Sequence, residues 1–361
     1  MHRHAEIAGA GFTGLVAAIA LAQSGWSVRV HERARELREF GAGIFLWQNG
    51  LRVLQAIGAH DAVLANIYEA PSFDDVDDTG SLIASRPLPI PGAGRMVTMT
   101  RRNLYAPILQ LARDCGVEIV VGSEIVGADP QGWLLGERGE RHRADLVVGA
   151  DGIRSKVRES LDIQVTHEVF PVKILRTLVR RTAEEVRNPY WNRYVNFWSD
   201  TRRVLYVPCD DENLYVMLAS RPGDTATQVP LDVDTWGRTF PMLVDTFSRM
   251  HGSLRVDHYE LIRCSRWSSG RVVLIGDAAH AMPPTIGQGA GSGMMNALSL
   301  AQALEGNEVL GVLPEWEQRE RPMVEHTQSF SAARANQWKP AAAERVDWKA
   351  DEIRTAMYAP Q

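Results

Sequence analysis

Gly9, Gly11 and Gly14 stand in a G-x-G-x-x-G spacing, between an apolar run ending at Ile7-Ala8 and a helix-compatible run from Leu15 to Gln23. In that setting each glycine has its own task. Gly9 permits a tight turn, Gly11 lets backbone approach a pyrophosphate, and Gly14 allows close packing of the helix. The opening turn, with Phe12 and Thr13, would aim N–H groups and the positive end of the helix dipole at the phosphates. Glu32, at the end of a second strand about twenty residues on, can accept hydrogen bonds from an adenosine ribose, with Arg33 beside it. The chemistry indicated is dinucleotide binding, against the bland alternative of a turn without a ligand. A carboxylate at this point disfavours a 2′-phosphate, which leaves a flavin or a nicotinamide dinucleotide open.

Two later segments carry further chemistry. Gly149-Ala150-Asp151-Gly152-Ile153-Arg154 ends a strand in an acidic turn, which could also be a plain surface turn capped by Asp151. Gly276-Asp277-Ala278-Ala279-His280-Ala281-Met282-Pro283-Pro284 runs on through Gly287-Gln288-Gly289-Ala290-Gly291 into a helix. A loop so dense in Gly and Pro brings bare backbone against something flat or charged.

With these three motifs in this order, the chain resembles the flavoprotein aromatic hydroxylases, the family of the hydroxybenzoate and salicylate hydroxylases, from about residue 5 to about residue 330. The resemblance implies FAD as the bound dinucleotide, NADH or NADPH as a transient reductant, and O2 as co-substrate. It implies that Gly276 and Asp277 hold a ribityl hydroxyl, and that Asp151 serves both FAD and the nicotinamide. It also implies that Arg101 contacts FAD near the pyrophosphate. Gly289 and Ala290, opening a helix, would face N1 and O2 of the isoalloxazine with the positive end of the dipole. Oxygen would reach an electron-rich ring carbon from a flavin C4a-hydroperoxide, the protein positioning the ring and excluding water, with no metal.

One departure from the wider family is informative. Where many members have Asn after Gly-x-Gly-Ala and then Glu-Asp, this chain has Gly291 and then Met295-Asn296. Together with the run from Phe40-Gly41-Ala42-Gly43 to Leu54, this is similar to the pyridine-ring oxygenases of the family, which hydroxylate and open their ring. Arg203, Tyr215 and Tyr259 fall on the arginine and tyrosines that face the substrate in that branch, and are the expected catalytic set. If Arg203 and Tyr215 lie on neighbouring antiparallel strands, both can face one cleft and grip a phenolate or carboxylate. The bland alternative is a surface Arg and a core Tyr. Two tyrosines of the branch are Phe45 and Phe73 here, so the expected pocket, which includes Pro284, loses two hydroxyls. A substrate lacking one polar substituent suits that change, because a buried polar group without a partner costs about 1–3 kcal/mol.

No catalytic base stands out. His280 reads as structural, His31 as packing or an adenine-edge contact, and His258, beside Tyr259, as a weak candidate. Substrates of the family are often already ionised on binding. The expected reaction is NAD(P)H- and O2-dependent hydroxylation of a small hydroxylated aromatic or heteroaromatic acid, of hydroxypyridine type, with ring opening as an option. A salicylate-type hydroxylase and a non-oxygenating flavoprotein reductase are the alternatives.

The elements needed to place these residues follow from the pattern. The expected fold class is α/β: a Rossmann-like FAD-binding domain, an inserted antiparallel β-sheet substrate domain, and C-terminal helices. The FAD-binding domain would take residues 1–70, 96–168 and 266–330, the substrate domain 71–95 and 169–265, and a helical tail 331–361. Short strands are expected at Val172–Val179, Tyr194–Trp198, Arg203–Pro208 and Leu214–Leu218. The stretch Pro71 to Gly94, rich in Asp, Gly and Pro, reads as loop or crossover. The tail reads as helix broken at Pro314, Pro322 and Pro340.

Composition narrows the class. A formal net charge of -5 lacks the basic bias of a nucleic-acid binder. No apolar run reaches the about 18 residues of a membrane span, and the start leaves no room for a signal peptide, so the cytoplasm is expected. Cys115, Cys209 and Cys264 lack metal or dithiol spacing. The expected partners are a small ring substrate and O2, with the protein a monomer or homodimer.

Overall fold

The computed structural model describes residues 3–37, 42–92, 94–251 and 254–338. Phe40 and Gly41 of the motif above, and residues 339–361 of the expected tail with Pro340, lie outside them.

Strand β1 (His4–Ala8) passes through the glycine turn into the helix Phe12–Gln23 and returns as β2 (Ser27–Glu32). Gly25, at φ 84°, takes the left-handed conformation that ends this helix. Then come β3 (Gly43–Trp47), the helix Gln48–Ile57 closed by a left-handed Gly58, β4 (Ser72–Asp77), β5 (Leu82–Pro87) and β6 (Met96–Thr100). Thr100 caps the helix Arg101–Asp114 by accepting from the Asn103 amide at 3.2 Å. Beyond it lie β7 (Glu118–Val121), β8 (Ile125–Asp129), β9 (Trp133–Gly136), β10 (Arg141–Arg143) and β11 (Leu146–Gly149). The second half supplies β12 (Val165–Arg180), β13 (Tyr194–Trp198), β14 (Arg202–Pro208), β15 (Asn213–Ser220) and β16 (Arg255–Cys264). Strands β17 (Ser268–Ser269) and β18 (Val272–Leu274) precede the helices Gly289–Ala303 and Val309–Asn336.

The strands β17-β18-β11-β1-β2-β7 form a six-stranded sheet, parallel except for β17. The first helix packs against Gly289–Ala303 and Arg101–Asp114 on one face of this sheet, burying Ala5, Ile7, Val28 and Val30 beneath them. That is the expected α/β, Rossmann-like layer. A seven-stranded sheet, β16-β12-β15-β14-β13-β4-β5, forms the second layer. It is antiparallel apart from the parallel pair β13–β4. Strand β12 runs unbroken from Val165 to Arg180, crossing the 168/169 line drawn from the sequence.

Two expectations give way, and one sheet is new. Pro71 to Gly94 is not simply a loop, since β4 and β5 lie within it and extend the second sheet. The acidic run hid them: Asp74 and Asp75 are buried but paired, Asp74 with Arg193 and Asp75 with Arg86, so the strand shows no apolar alternation. The small antiparallel sheet β10-β9-β8 was not anticipated at all. The tail is one continuous helix from Val309 to Asn336 through Pro314 and Pro322. Each proline removes a backbone bond, at about 3 kcal/mol in a helix interior. Burial of Leu313, Trp316 and Val324 against the core offsets that loss.

Candidate active site

A cavity of about 470 Å³ opens between the two sheets. At one end its wall comes from the glycine loop and the two helix starts: Gly11, Phe12, Thr13, Arg101, Asp277, Gly289 and Ala290. The glycines behave differently from one another. A side chain on Gly9, at φ +99°, would strike the Ala150 carbonyl, and one on Gly14 would strike the Gly9 carbonyl, so both are closed positions behind the wall. A Cβ on Gly11 would meet nothing within 4 Å. That opening faces the cavity, where the first helix begins without any side-chain cap on its amides. Glu32 is not part of this wall; it accepts from the amides of Ala10 at 3.1 Å and Ala34 at 2.9 Å. Arg33 is exposed next to it.

Asp277 is open to the cavity and walled by protein on its other sides. That burial pushes its carboxyl pKa up, and Arg101 opposes the rise. The Arg101 guanidinium lies 5.0 Å over the Phe12 ring. Gly276, at φ +59°, leaves room for Thr13, whose Oγ1 would lie 2.7 Å from a Cβ there. Asp151 lies outside the wall, which is formed there by Ala150 and Gly152. Its Oδ2 accepts from the amides of Lys156 at 2.7 Å and Val157 at 3.1 Å, so it also plays the turn-capping part.

At the other end the wall holds Arg203, Tyr215, Tyr259, Phe45, Phe73 and Pro284 together. Strands β14 and β15 are antiparallel neighbours, with Val207 opposite Tyr215 and Arg203 opposite Ala219. Tyr215 is held against β3, where a side chain on Gly43 would fall 2.5 Å from its Cβ. Burial pushes the Tyr215 phenol up to about 12, with Arg176 pulling the other way. Burial also raises Tyr259, opposed by Arg203 and Arg176. Both phenols therefore stay protonated donors at neutral pH. Phe45 and Phe73 stack with centroids 6.2 Å apart, and Tyr194 meets Phe45 edge-on at 5.5 Å.

Several lining residues carry no motif signal. Arg176 on β12 sits in the wall with its Nη2 on Asp257 at 2.9 Å. Asn196 and Trp198 on β13 flank Arg203, whose guanidinium lies 4.6 Å over the Trp198 ring. Trp338 closes this end, edge-on to Trp198 at 6.3 Å. Strand alternation could have flagged Arg176 as a charged residue on an inward face, whereas the Asn196 and Trp198 contacts arise from pairing alone.

The histidines fall away from the cavity. His258 is exposed and bonds the Phe170 carbonyl through Nδ1 at 3.2 Å. His280 is buried 5.0 Å from the Trp267 ring, and burial lowers its pKa to about 4. His31 is no adenine-edge contact; it is buried against Glu6 and Ser123. Cys209 and Cys264 are buried and Cys115 is half-buried.

A family model described as an FAD binding domain matches residues 4–330. A 2-heptyl-3-hydroxy-4(1H)-quinolone synthase of Mycobacteroides abscessus is 40% identical over 332 residues, covering 91% of this chain and 88% of the relative. The chain belongs to the flavoprotein aromatic hydroxylases. A solved structure of this hydroxylase's relative, described as a tetrameric form of 2-methyl-3-hydroxypyridine-5-carboxylic acid oxygenase, superposes at a TM-score of 0.88 with 40% identity, covering 95% of each chain. FAD is therefore the cofactor of the hydroxylase, with NAD(P)H as reductant. The residues present fit it: an open Gly11 between two closed glycines, two uncapped helix starts and the Asp277–Arg101 pair share one wall. Among the described residues no helix is long and apolar enough to cross a membrane.

Proposed function

We propose that this hydroxylase inserts oxygen into a small, planar, hydroxylated nitrogen heteroaromatic that carries an acidic group, a hydroxypyridine-type ring. The carrying observation is the convergence of Arg203, Arg176, Tyr215 and Tyr259 on one end of the cavity, where Asn196, Asp75 and Arg86 also line the wall. Two guanidiniums favour an anionic ring, and two protonated phenols donate to its oxygens. The apolar remainder, with Phe45, Phe73, Leu205 and Met217, grips the ring faces. A relative that oxygenates a hydroxypyridine carboxylic acid and one that makes a hydroxyquinolone support a nitrogen heteroaromatic over a benzoate.

When bound, FAD takes up hydride from NAD(P)H and activates O2. FAD would be held by Gly11, Phe12, Thr13, Glu32, Arg33 and Arg101, with Gly276, Asp277, Gly289 and Ala290, and Asp151 would act through the turn it caps behind the wall. Gly9 and Gly14 shape the turn behind them. Arg203 anchors the substrate's anionic oxygen, Tyr215 and Tyr259 set the ring's tilt, and Phe45, Phe73 and Pro284 exclude water from the reacting carbon. No side-chain base is required for a ring that binds as its anion. The division into a discontinuous FAD-binding domain, a substrate domain and a tail, and a cytoplasmic location, belong to the same reading.

A quinolone is the second reading, favoured by the apolar residues Leu88, Ile90 and Met96 further along the wall. NADH and NADPH oxidation is to be followed with hydroxypyridine carboxylates, quinolones and hydroxybenzoates, counting H2O2 against oxygenated product. Low-peroxide turnover on a hydroxypyridine acid supports the proposal, with product mass reporting ring opening. Turnover confined to quinolones or benzoates replaces it. Mass measurement in solution decides between the expected monomer or homodimer and a tetramer like that of the relative.

A further inference from the structure

A second constellation lies on the far face of the six-stranded sheet, away from the cavity. Strand alternation places His4 and Glu6 of β1 on the same face as Arg29 and His31 of β2. The small sheet lays β10 against this face, bringing the His142 ring to 4.6 Å from that of His31. Glu6 and His31 are buried and His142 is half-buried. One ligand atom from each of Glu6, His31 and His142 lies within 4.8 Å of the others.

We propose that Glu6, His31 and His142 bind a divalent transition-metal ion of the zinc class. Two imidazoles and one carboxylate are a donor set that Zn2+ accepts, with a fourth position left for water. Bonds of about 2.0–2.1 Å in a tetrahedron put ligand atoms about 3.3 Å apart. The 2.7 Å hydrogen bond between His31 Nε2 and Glu6 Oε2 would lengthen by about 0.6 Å, and the half-buried His142, within 4.8 Å of them, would move inward. The tautomer needed is also provided for. His31 Nδ1 lies 2.8 Å from Ser123 Oγ, so a proton on Nδ1 has an acceptor while Nε2 offers its lone pair to the metal. Binding thus releases one proton or shifts it to Nδ1.

The surrounding charge permits a cation. Arg29 donates to Glu6 Oε1 at 3.3 Å and His4 reaches the same oxygen at 2.9 Å, which leaves Oε2 for the metal. Glu118 neutralises Arg29 at 2.8 Å, and Glu140 adds negative charge near His142. Arg141 and Arg143 stack on Trp133, at 4.8 and 5.2 Å, on the opposite face of β10 from His142. The ion would tie β1 and β2 of the central sheet to the small sheet.

Zn2+ is to be titrated into the FAD-loaded protein against a chromophoric chelator in metal-free buffer. One equivalent per chain is expected, with affinity falling at least about 10-fold in His142→Ala and in Glu6→Gln. Flavin absorbance and turnover of His142→Ala should stay at wild-type level. X-ray absorption of the zinc-loaded wild type should count two imidazole nitrogens, which keeps the test independent of how the variants fold. No stoichiometric uptake, uptake unchanged in both variants, or fewer than two imidazoles in the shell would each overturn the site.

Discussion

Arg203 donates both Nε and Nη2 to the single Oδ1 of Asn196, at 2.9 and 2.7 Å. Asn196 in turn gives its Nδ2 to Asp75 Oδ1 at 3.2 Å, and Trp198 Nε1 reaches the same oxygen at 2.8 Å. Asp75 Oδ2 is held by Arg86 at 2.6 Å. A buried carboxylate on β4 therefore fixes both groups that fix Arg203.

Asn196→Ala should leave FAD content unchanged and raise the substrate KM about 10-fold, since a hydrogen bond to a charged group contributes about 1.5–3 kcal/mol. Asp75→Asn should move KM in the same direction and raise the fraction of turnover lost to H2O2. Steady-state kinetics with peroxide counting checks both.

Gly11 and Gly14 should separate cofactor binding from folding. Gly11→Val fills space that is open in the protein alone, so the flavin-free variant should melt near wild type yet bind no FAD. Gly14→Ala drives a methyl into the Gly9 carbonyl and should cost about 1–3 kcal/mol even without flavin. Melting temperature with and without FAD distinguishes them. Asp277→Ala should likewise be isolated colourless.

His280 is buried uncharged, with its pKa lowered from the ordinary 6.5 to about 4. A depressed folded pKa means that the unfolded chain takes up the proton first as pH falls. The stabilisation is thus complete above pH 6.5 and is lost on acidification from 6.5 through about 4, a loss of about 3 kcal/mol at 1.36 kcal/mol per pH unit. Melts from pH 7 to 4 should show a shallower decline in His280→Gln than in wild type.

Tyr215 moves the other way, up to about 12. It should remain a donor across the working range, so Tyr215→Phe is expected to raise KM while leaving the alkaline limb of the rate profile unchanged below pH 10. A limb that shifts with the substitution would assign the ionisation to Tyr215.

Trp338 Nε1 donates to the Ser199 carbonyl at 3.2 Å, and Arg221 lies 5.5 Å over its ring. Truncation to Ala should open this end, improving kcat/KM for rings with a longer substituent relative to the smallest acid. Equal kcat/KM ratios in the variant and wild type would remove Trp338 from specificity.

The dinucleotide-binding segment could be read from the sequence alone. Gly9, Gly11, Gly14 and Glu32 form one continuous strand–turn–helix–strand segment, and the backbone conformations they demand are local, so their spacing carries their meaning. The motif at Gly276 and Asp277 is local in the same sense. Arg203 and Tyr215 were picked out by the resemblance to the pyridine-ring oxygenases, and a period of two along an antiparallel pair lets both face one cleft. Tertiary structure alone decided the rest. Asp75 looked like loop because its charge is cancelled by Arg86, a strand away, and by side chains from β13. Alternation along β12 could have turned Arg176 inward on paper, but the cavity it meets exists because β12 lies between β15 and β16. The prolines at 314 and 322 failed to break their helix because packing energy from distant elements exceeded a local penalty. Glu6, His31 and His142 meet because β10 folds back across a parallel sheet, and contact between residues more than a hundred positions apart is set by topology, to which no local period corresponds.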